Sequence, residues 1–134
     1  MYLKISRFLE KWSFKFRQKA LYYTFKSYIK NNENYFMHVY RHNRGIGKSY
    51  TLLQLAHKYK CPIFVSKTRD IEYLDRLNRD YFKNKCLEII VARNDCRGMR
   101  FDLALCEEGI EDRLIHEIIL PMCKRIIGYT RIDY

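Results

Sequence analysis

The residues best suited to chemistry are Gly47-Lys48-Ser49, within the stretch "RHNRGIGKSYTLLQLA" at positions 41–56. Glycines between a strand and a helix let backbone N–H groups converge on a phosphate, and the amino end of the helix favours the anion. Lys48 would then contact the β- and γ-phosphates of a nucleotide, and the Ser49 hydroxyl would ligate Mg²⁺. The strict motif G-x-x-x-x-G-K-[ST] is incomplete, because His42 occupies the position of its first glycine.

A second candidate group is the pair of carboxylates in "FDLALCEE", residues 101–108. The apolar residues 103–106 predict a strand through the core, which leaves Glu107 and Glu108 at its carboxyl end, where ligands bind in open α/β sheets. In a hydrolase Glu107 would hold Mg²⁺ through its water shell, and Glu108 would orient or deprotonate the attacking water. The alternative is that both acids start the next helix, where negative charge favours the helix dipole.

Both groups need strands and helices to position them, and the sequence predicts these in alternation. The apolar run "YFMHVY" before the loop predicts a strand, and the apolar residues after Lys48 recur at helical spacing. Further strands are predicted at "PIFVS", "CLEIIVA" and "RIIGYTRI", with helices between them, one capped by Thr68 and another ending at Pro121. This order predicts a three-layer α/β fold, a mostly parallel sheet with helices on both faces.

The first thirty residues are strongly basic, with eight Lys or Arg against Glu10 alone, in a chain of net charge +11. Apolar and aromatic residues recur there at helical spacing, which predicts one or two basic amphipathic helices. We therefore divide the 134 residues into this segment, 1–33, and a compact core, 34–134. Such a surplus of positive charge favours a polyanionic partner, either DNA, RNA or an acidic membrane surface.

Three interpretations of the basic segment stay open. The simplest is a helix packed on the sheet with its lysines pointing outward. The second is a contact with single-stranded nucleic acid, because Trp12, Phe14 and Phe16 interleave with basic residues and can stack on bases. The third and least favoured is an amphipathic membrane anchor.

The cysteines indicate the environment of the chain. Five is an odd number, no C-x-x-C pair occurs and most of them lie in apolar runs, so we expect reduced core residues of an intracellular protein. The cysteines and histidines lack the clustered spacing of a zinc site. No apolar run reaches the length of a membrane span, and the start lacks the apolar region of a secretory signal. We expect a cytoplasmic location.

With these residues, the chain from about Tyr35 to Thr130 resembles the P-loop NTPases that use a catalytic glutamate, and within them the ATPase domain of viral large terminases. Residues 44–49, "RGIGKS", match the deviant Walker A pattern R-x-x-G-K-[ST] of that family. The stretch "RGMRFDLALCEE" is similar to its Walker B strand, with Glu107-Glu108 in place of the usual D-E pair. Glutamate in the first of these positions is a departure that should lengthen the reach to Mg²⁺.

The resemblance implies ATP and Mg²⁺ as cofactors and gives roles to the residues that match its motifs. It implies nucleotide binding by Arg44, Gly45, Ile46, Gly47, Lys48, Ser49 and Tyr50, metal binding by Ser49 and Glu107, catalysis by Glu108, Lys48 and Arg44, and γ-phosphate sensing by Thr130. Arg44 is the candidate arginine finger within the chain. DNA is the implied partner, and a homo-oligomer is compatible with sites completed by a neighbouring subunit.

The sequence thus predicts an ATP-binding and ATP-hydrolysing protein of viral or mobile-element type that acts on or near DNA, similar to a terminase ATPase core without a nuclease. One alternative is a small nucleotide or metabolite kinase, because kinases with G-x-x-G-x-G-K-S share Gly45, Gly47, Lys48 and Ser49 with this chain. Their arginine-rich lid follows the Walker B strand, whereas "ARNDCRGMR" precedes it here. The other alternative is a binding module that holds a nucleotide without hydrolysing it.

Overall fold

The computed structural model describes residues 2–39, 47–93, 96 and 98–131, and of residues 2–14 and 131 it describes the backbone alone. The helices are α1 (Tyr2–Lys30), α2 (Lys48–Tyr59), α3 (Thr68–Phe82), α4 (Asp112–Leu114), the π-helical Ile115–Ile119 and α5 (Leu120–Met122). The strands are β1 (Tyr35–Val39), β2 (Ile63–Val65), β3 (Ile89–Val91), β4 (Phe101–Cys106) and β5 (Cys123–Arg131). The predicted strands and helices are therefore present in the predicted order.

The strands of the described residues form one sheet in the order β1-β5-β4-β2-β3, and every neighbouring pair is parallel. The predicted α/β class with a parallel sheet is confirmed. Strand β5 lies between β1 and β4, since its Gly128 pairs with Phe36 on one side and with Cys106 on the other. Because the strands are parallel, the ends of β1, β4 and β5 share one edge of the sheet.

Side chains alternate between the two faces of the sheet, and each face has its own buried cluster. On the first face Phe25 of α1, Leu52 of α2 and Leu74 of α3 pack on the strands. On the second face the helical segment 112–122 packs on the strands through residues such as Ile118. The strand residues of the first cluster include Ile63, Val65, Leu103, Leu105, Ile127 and Tyr129, and those of the second are Phe64, Ala104, Cys106 and Ile126.

The basic amino-terminal segment is one helix, and its second half belongs to the core. Leu21, Phe25 and Ile29, each four residues from the next, are buried. The turn after α1 is tied to β5, because the Arg125 guanidinium donates to the Ile29 carbonyl oxygen at 2.9 Å. The predicted boundary after residue 33 falls in this turn. Among the residues described, no helix is long and apolar enough to cross a membrane.

Two helix ends differ from the prediction. Thr68 is the first residue of α3 rather than its cap, because Lys67 is the N-cap and its N–H donates to the Asp70 carboxylate at 3.2 Å. The helix predicted to end at Pro121 continues to Met122. A proline ring clashes with the carbonyl four residues back in an α-helix. The turn before it is π-helical here, with the Leu120 N–H bonded to the carbonyl five residues back, so the backbone is already wider than an α-helix.

The strands and cysteines also show differences. The last strand begins at Cys123, two residues before the predicted run, and the strand predicted in "CLEIIVA" is confined to residues 89–91.

Cys61, Cys96 and Cys106 are buried free thiols, as expected for core cysteines. The expectation was wrong for Cys86, which is a free thiol exposed in the loop before β3.

Candidate functional site

The two predicted catalytic residues that the structure describes meet at the carboxyl edge of the sheet. Lys48 is the first residue of α2, and Glu108 is the second residue after β4. Lys48 Nζ lies 2.9 Å from Glu108 Oε2, although the two residues are 60 positions apart in the chain. The ion pair is largely shielded from solvent, because 12% of the Lys48 side chain and 26% of the Glu108 side chain are exposed.

The first turn of α2 is built around Gly47. Its φ of 78° and ψ of 27° are left-handed, a conformation that glycine adopts without steric cost. The Gly47 carbonyl oxygen accepts hydrogen bonds from both the N–H and the hydroxyl of Thr51, each at 2.9 Å. Thr51 itself is fully buried. These bonds fix the backbone from which the Lys48 side chain reaches Glu108.

Tyr129 of β5 makes a second connection to this turn. Its side chain is buried, and its hydroxyl donates to the Lys48 carbonyl oxygen at 3.2 Å. Burial raises the pKa of the Tyr129 phenol and the charge of Glu108 raises it further, while a hydrogen bond with the Thr51 side chain opposes this. The hydroxyl therefore stays protonated and serves as a donor. The sequence reasoning selected the neighbouring Thr130 and missed Tyr129, although a tyrosine in a buried strand signals a required hydrogen-bond partner.

Glu107 is partly buried, and its carboxyl lies close enough to the charge of Asp70 to be affected by it. Its Oε2 accepts a hydrogen bond from the Gly109 N–H at 3.3 Å. Burial raises the pKa of the Glu107 carboxyl, and the charges of Asp70 and then Glu108 raise it further, against the lowering effect of backbone hydrogen bonds. Asp70, in the first turn of α3, accepts a hydrogen bond from Ser66 Oγ at 3.2 Å. The sequence analysis did not select Asp70 as a residue of the site.

The oxygen ligands at this edge suit Mg²⁺ that is shared with a nucleotide. Among the described residues, no group of three or more His, Cys, Asp or Glu could hold a metal ion by itself. Mg²⁺ is commonly held by one or two protein oxygens together with substrate phosphates and water. Ser49, the second residue of α2, and Glu107 offer a hydroxyl and a carboxylate of that kind. This donor set is compatible with a cation that arrives with phosphates.

Two further predicted residues lie in different surroundings. Thr130 pairs with His38 near the carboxyl end of β5 and is partly buried, which places it at the same edge as the two glutamates. The Tyr50 ring packs against α3, with its centroid 5.7 Å from that of Tyr81 and 5.0 Å from that of Phe82. The Tyr50 side chain therefore joins α2 to α3, and a contact of Tyr50 with nucleotide would use its backbone.

Three of the predicted nucleotide-binding residues, Arg44, Gly45 and Ile46, lie outside the described residues. Their predicted roles, including that of Arg44 as an arginine finger, stay predictions.

Surface grooves occur at the opposite edge of the sheet. One of about 550 Å³ and one of about 270 Å³ are both lined by Arg100, Pro121 and Met122, which lie near the amino ends of β4 and β5. They are therefore separate from the edge that holds Lys48 and Glu108.

Comparisons with known protein families, with curated protein sequences and with solved structures found no match to this chain. The functional conclusion accordingly rests on the geometry of the carboxyl edge and on the chemistry of its residues.

Proposed function

We propose that the chain binds ATP with Mg²⁺ at the carboxyl edge of its sheet and hydrolyses it, as a protein of viral or mobile-element type that acts on or near DNA. The observation that carries the proposal is the contact between Lys48 and Glu108 at 2.9 Å. The two residues were selected from separate motifs for complementary roles, and a phosphate site requires that they lie close together. The resemblance to a terminase ATPase core without a nuclease also supports ATP binding and hydrolysis.

Lys48 and Glu108 have the properties that the two roles require. The Lys48 ammonium would pair with the β- and γ-phosphates, which carry more negative charge than the carboxylate it contacts in the structure. Once Lys48 pairs with phosphate, Glu108 would accept a hydrogen bond from the attacking water and orient it. Mg²⁺, when bound with the nucleotide through Ser49 and Glu107, would neutralise charge on the phosphate oxygens.

The order of the strands leaves room for phosphate between the start of α2, which carries Lys48, and the end of β4, which carries the glutamates. Strand β5 separates β1, which leads to α2, from β4, which leads to the glutamates. Two strand spacings amount to about 10 Å. The tip of β5, with Thr130, lies in that interval. This position is compatible with the predicted role of Thr130 as a γ-phosphate sensor.

The proposal is tested by phosphate release from Mg-ATP by the purified full chain, with and without DNA. We expect turnover in the wild type and none in Lys48→Ala. The control is Lys85→Ala, at an exposed lysine in the loop before β3, which should retain turnover. Glu108→Gln should bind ATP without releasing phosphate. Equal release from the wild type, Lys48→Ala and Glu108→Gln would contradict the proposal.

Two other outcomes would each replace hydrolysis with one of the alternative functions. Mg²⁺-dependent ATP binding without turnover, in the presence or absence of DNA, would indicate a nucleotide-dependent binding module. Transfer of the γ-phosphate to an added nucleoside, detected by chromatography of the products, would indicate a kinase.

A further inference from the structure

The outward face of α1 combines exposed aromatic rings with lysines. Phe16, Lys19, Tyr23, Lys26 and Lys30 follow one another at spacings of three and four residues, which places them on one side of a helix. Phe16 and Tyr23 are 63% and 62% exposed, so both rings present most of their surface to solvent. We call these five residues the outer stripe of α1. The buried face of the helix is on the opposite side.

The charged residues in this part of α1 are all of one sign. Residues 15–30 contain five Lys or Arg and no Asp or Glu. The Lys26 ammonium lies 6.0 Å from the centroid of the Tyr23 ring, so cationic and aromatic groups share the same surface. A surface with several cations and no anion is complementary to a polyanion.

We infer that the outer stripe of α1 binds single-stranded nucleic acid. Exposed bases stack on aromatic rings, and cationic side chains pair with the phosphates that connect them. Phe16 and Tyr23 are seven residues apart, which corresponds to about 10 Å along a helix. This is close to three base steps of about 3.4 Å each. The two rings can therefore contact bases of the same strand while Lys19, Lys26 and Lys30 face its phosphates.

A duplex would use this surface less well. Double-stranded DNA presents phosphates on its outside and keeps its bases stacked within, so the lysines would find partners and the aromatic rings would not. The exposure of Phe16 and Tyr23 thus favours unpaired bases.

A membrane surface is also disfavoured by the packing of α1. An interfacial helix inserts its apolar face among lipids. In the second half of α1 the apolar face, with Leu21, Phe25 and Ile29, is buried in the protein core, where Phe25 is 0% exposed. Insertion would require removing these side chains from the core. The outer stripe by itself offers two aromatic rings among cations, which is a small apolar surface.

This inference names the partner and the binding surface for the nucleic-acid part of the proposed function. Binding to the outer stripe needs no ATP, so it can be measured in its absence. Single-strand binding without ATP hydrolysis would contradict only the proposed ATPase activity. ATP hydrolysis without single-strand binding would contradict only the present inference.

The test is fluorescence anisotropy of a labelled 20-nucleotide single strand with the full chain, against a duplex of the same sequence at the same salt. We expect tighter binding of the single strand. Tyr23→Ala should weaken it by about five-fold or more, the usual effect of losing one stacked base. Tyr73→Ala, at an exposed tyrosine of α3, is the matched control and should bind as the wild type does.

The lysines are tested by the salt dependence of the same binding. Replacing Lys19 and Lys30 with Gln should make the slope of log affinity against log salt shallower by about 0.7 for each lost phosphate contact. Lys85→Gln should leave the slope unchanged. Circular dichroism on each variant shows that α1 is retained.

Three results would overturn the inference. The first is equal affinity for the strand and the duplex with no effect of Tyr23→Ala, which would indicate phosphate contact alone. The second is single-strand binding that all the α1 variants retain, which would place the partner elsewhere on the chain. The third is binding to phosphatidylserine vesicles that Tyr23→Ala abolishes, together with no binding of the single strand.

Discussion

The Tyr129 hydroxyl lies 3.2 Å from the carbonyl oxygen of Lys48, so β5 is bonded to the first turn of α2. The Tyr129 ring also packs against α1, whose Phe25 ring lies edge-on to it with centroids 5.2 Å apart. A continuous set of contacts therefore runs from α1 through Tyr129 to Lys48. Because these groups are buried, a displacement of any one of them must move its neighbours.

Tyr129→Phe removes the hydroxyl and keeps the ring. We expect a loss of about 1 kcal/mol of stability, the usual value for a buried hydrogen bond. If the hydroxyl positions Lys48, the KM for ATP should also rise several-fold with a smaller change in kcat. Urea unfolding and steady-state kinetics measure the two effects. Tyr73→Phe, which removes a hydroxyl at an exposed position, is the control. A stability loss with unchanged KM would show that Tyr129 has a structural role only.

Glu108→Gln should bind ATP more tightly than the wild type. In the structure the carboxylate of Glu108 pairs with the Lys48 ammonium, and on the proposed function a phosphate of ATP would displace it. Removing that competitor should raise ATP affinity by about five-fold, which corresponds to about 1 kcal/mol for a partly shielded ion pair. Equilibrium titration with ATP measures this.

The matched control for Glu108→Gln is Glu117→Gln, which breaks the exposed ion pair of Glu117 with Arg113. It should leave ATP affinity unchanged. Weaker ATP binding by Glu108→Gln would contradict competition between the carboxylate and phosphate for Lys48.

Glu107 should make the stability of the fold depend on pH. Burial, and then the charge of Asp70, raises the pKa of its carboxyl, so the folded chain holds this proton more tightly than the unfolded chain. The resulting stability is complete below the unfolded value of about 4.3 and is lost as pH rises through the folded value. The glutamine of Glu107→Gln does not titrate, so this variant keeps its stability as the pH rises. The stability of Glu107→Gln relative to the wild type should therefore increase as the pH rises above the unfolded value.

The size of this increase is about 1.4 kcal/mol for each unit by which the pKa is raised. Urea unfolding across the pH range measures it, with Glu72→Gln, at an exposed glutamate of α3, as the control. A constant difference between Glu107→Gln and the wild type would show that the carboxyl titrates alike in the folded and unfolded chains.

Gly128→Ala should destabilise the fold. A Cβ at this position would lie 2.3 Å from the Cys106 carbonyl oxygen, a contact with backbone that no rotamer can relieve. Overpacking of this kind costs about 1–3 kcal/mol, measured by denaturant unfolding. Gly109→Ala is the comparison, because its Cβ would meet the movable Ser66 Oγ at 2.9 Å. A larger loss for Gly109→Ala than for Gly128→Ala would contradict the close approach of β4 and β5.

The parts of the site that could be predicted are those encoded by neighbouring residues. A glycine-lysine-serine motif before an apolar helix, and four apolar residues before Glu107 and Glu108, each need only a short window of sequence. The contact of Tyr129 with Lys48 could not be predicted in this way, because it follows from the place of β5 in the sheet. Asp70 lies near Glu107 for the same reason, since α3 follows β2 and β2 pairs with β4.

The place of β5 also determines when the site can form during synthesis. Tyr35 in β1 pairs with Ile127, and β1 has β5 as its sheet neighbour. As the chain leaves the ribosome, β1, α2 and β4 are all made before the strand that joins them. Contacts between residues so distant in sequence form slowly and late in folding. We therefore expect the proposed nucleotide site to form in a single late step, after β5 has been made.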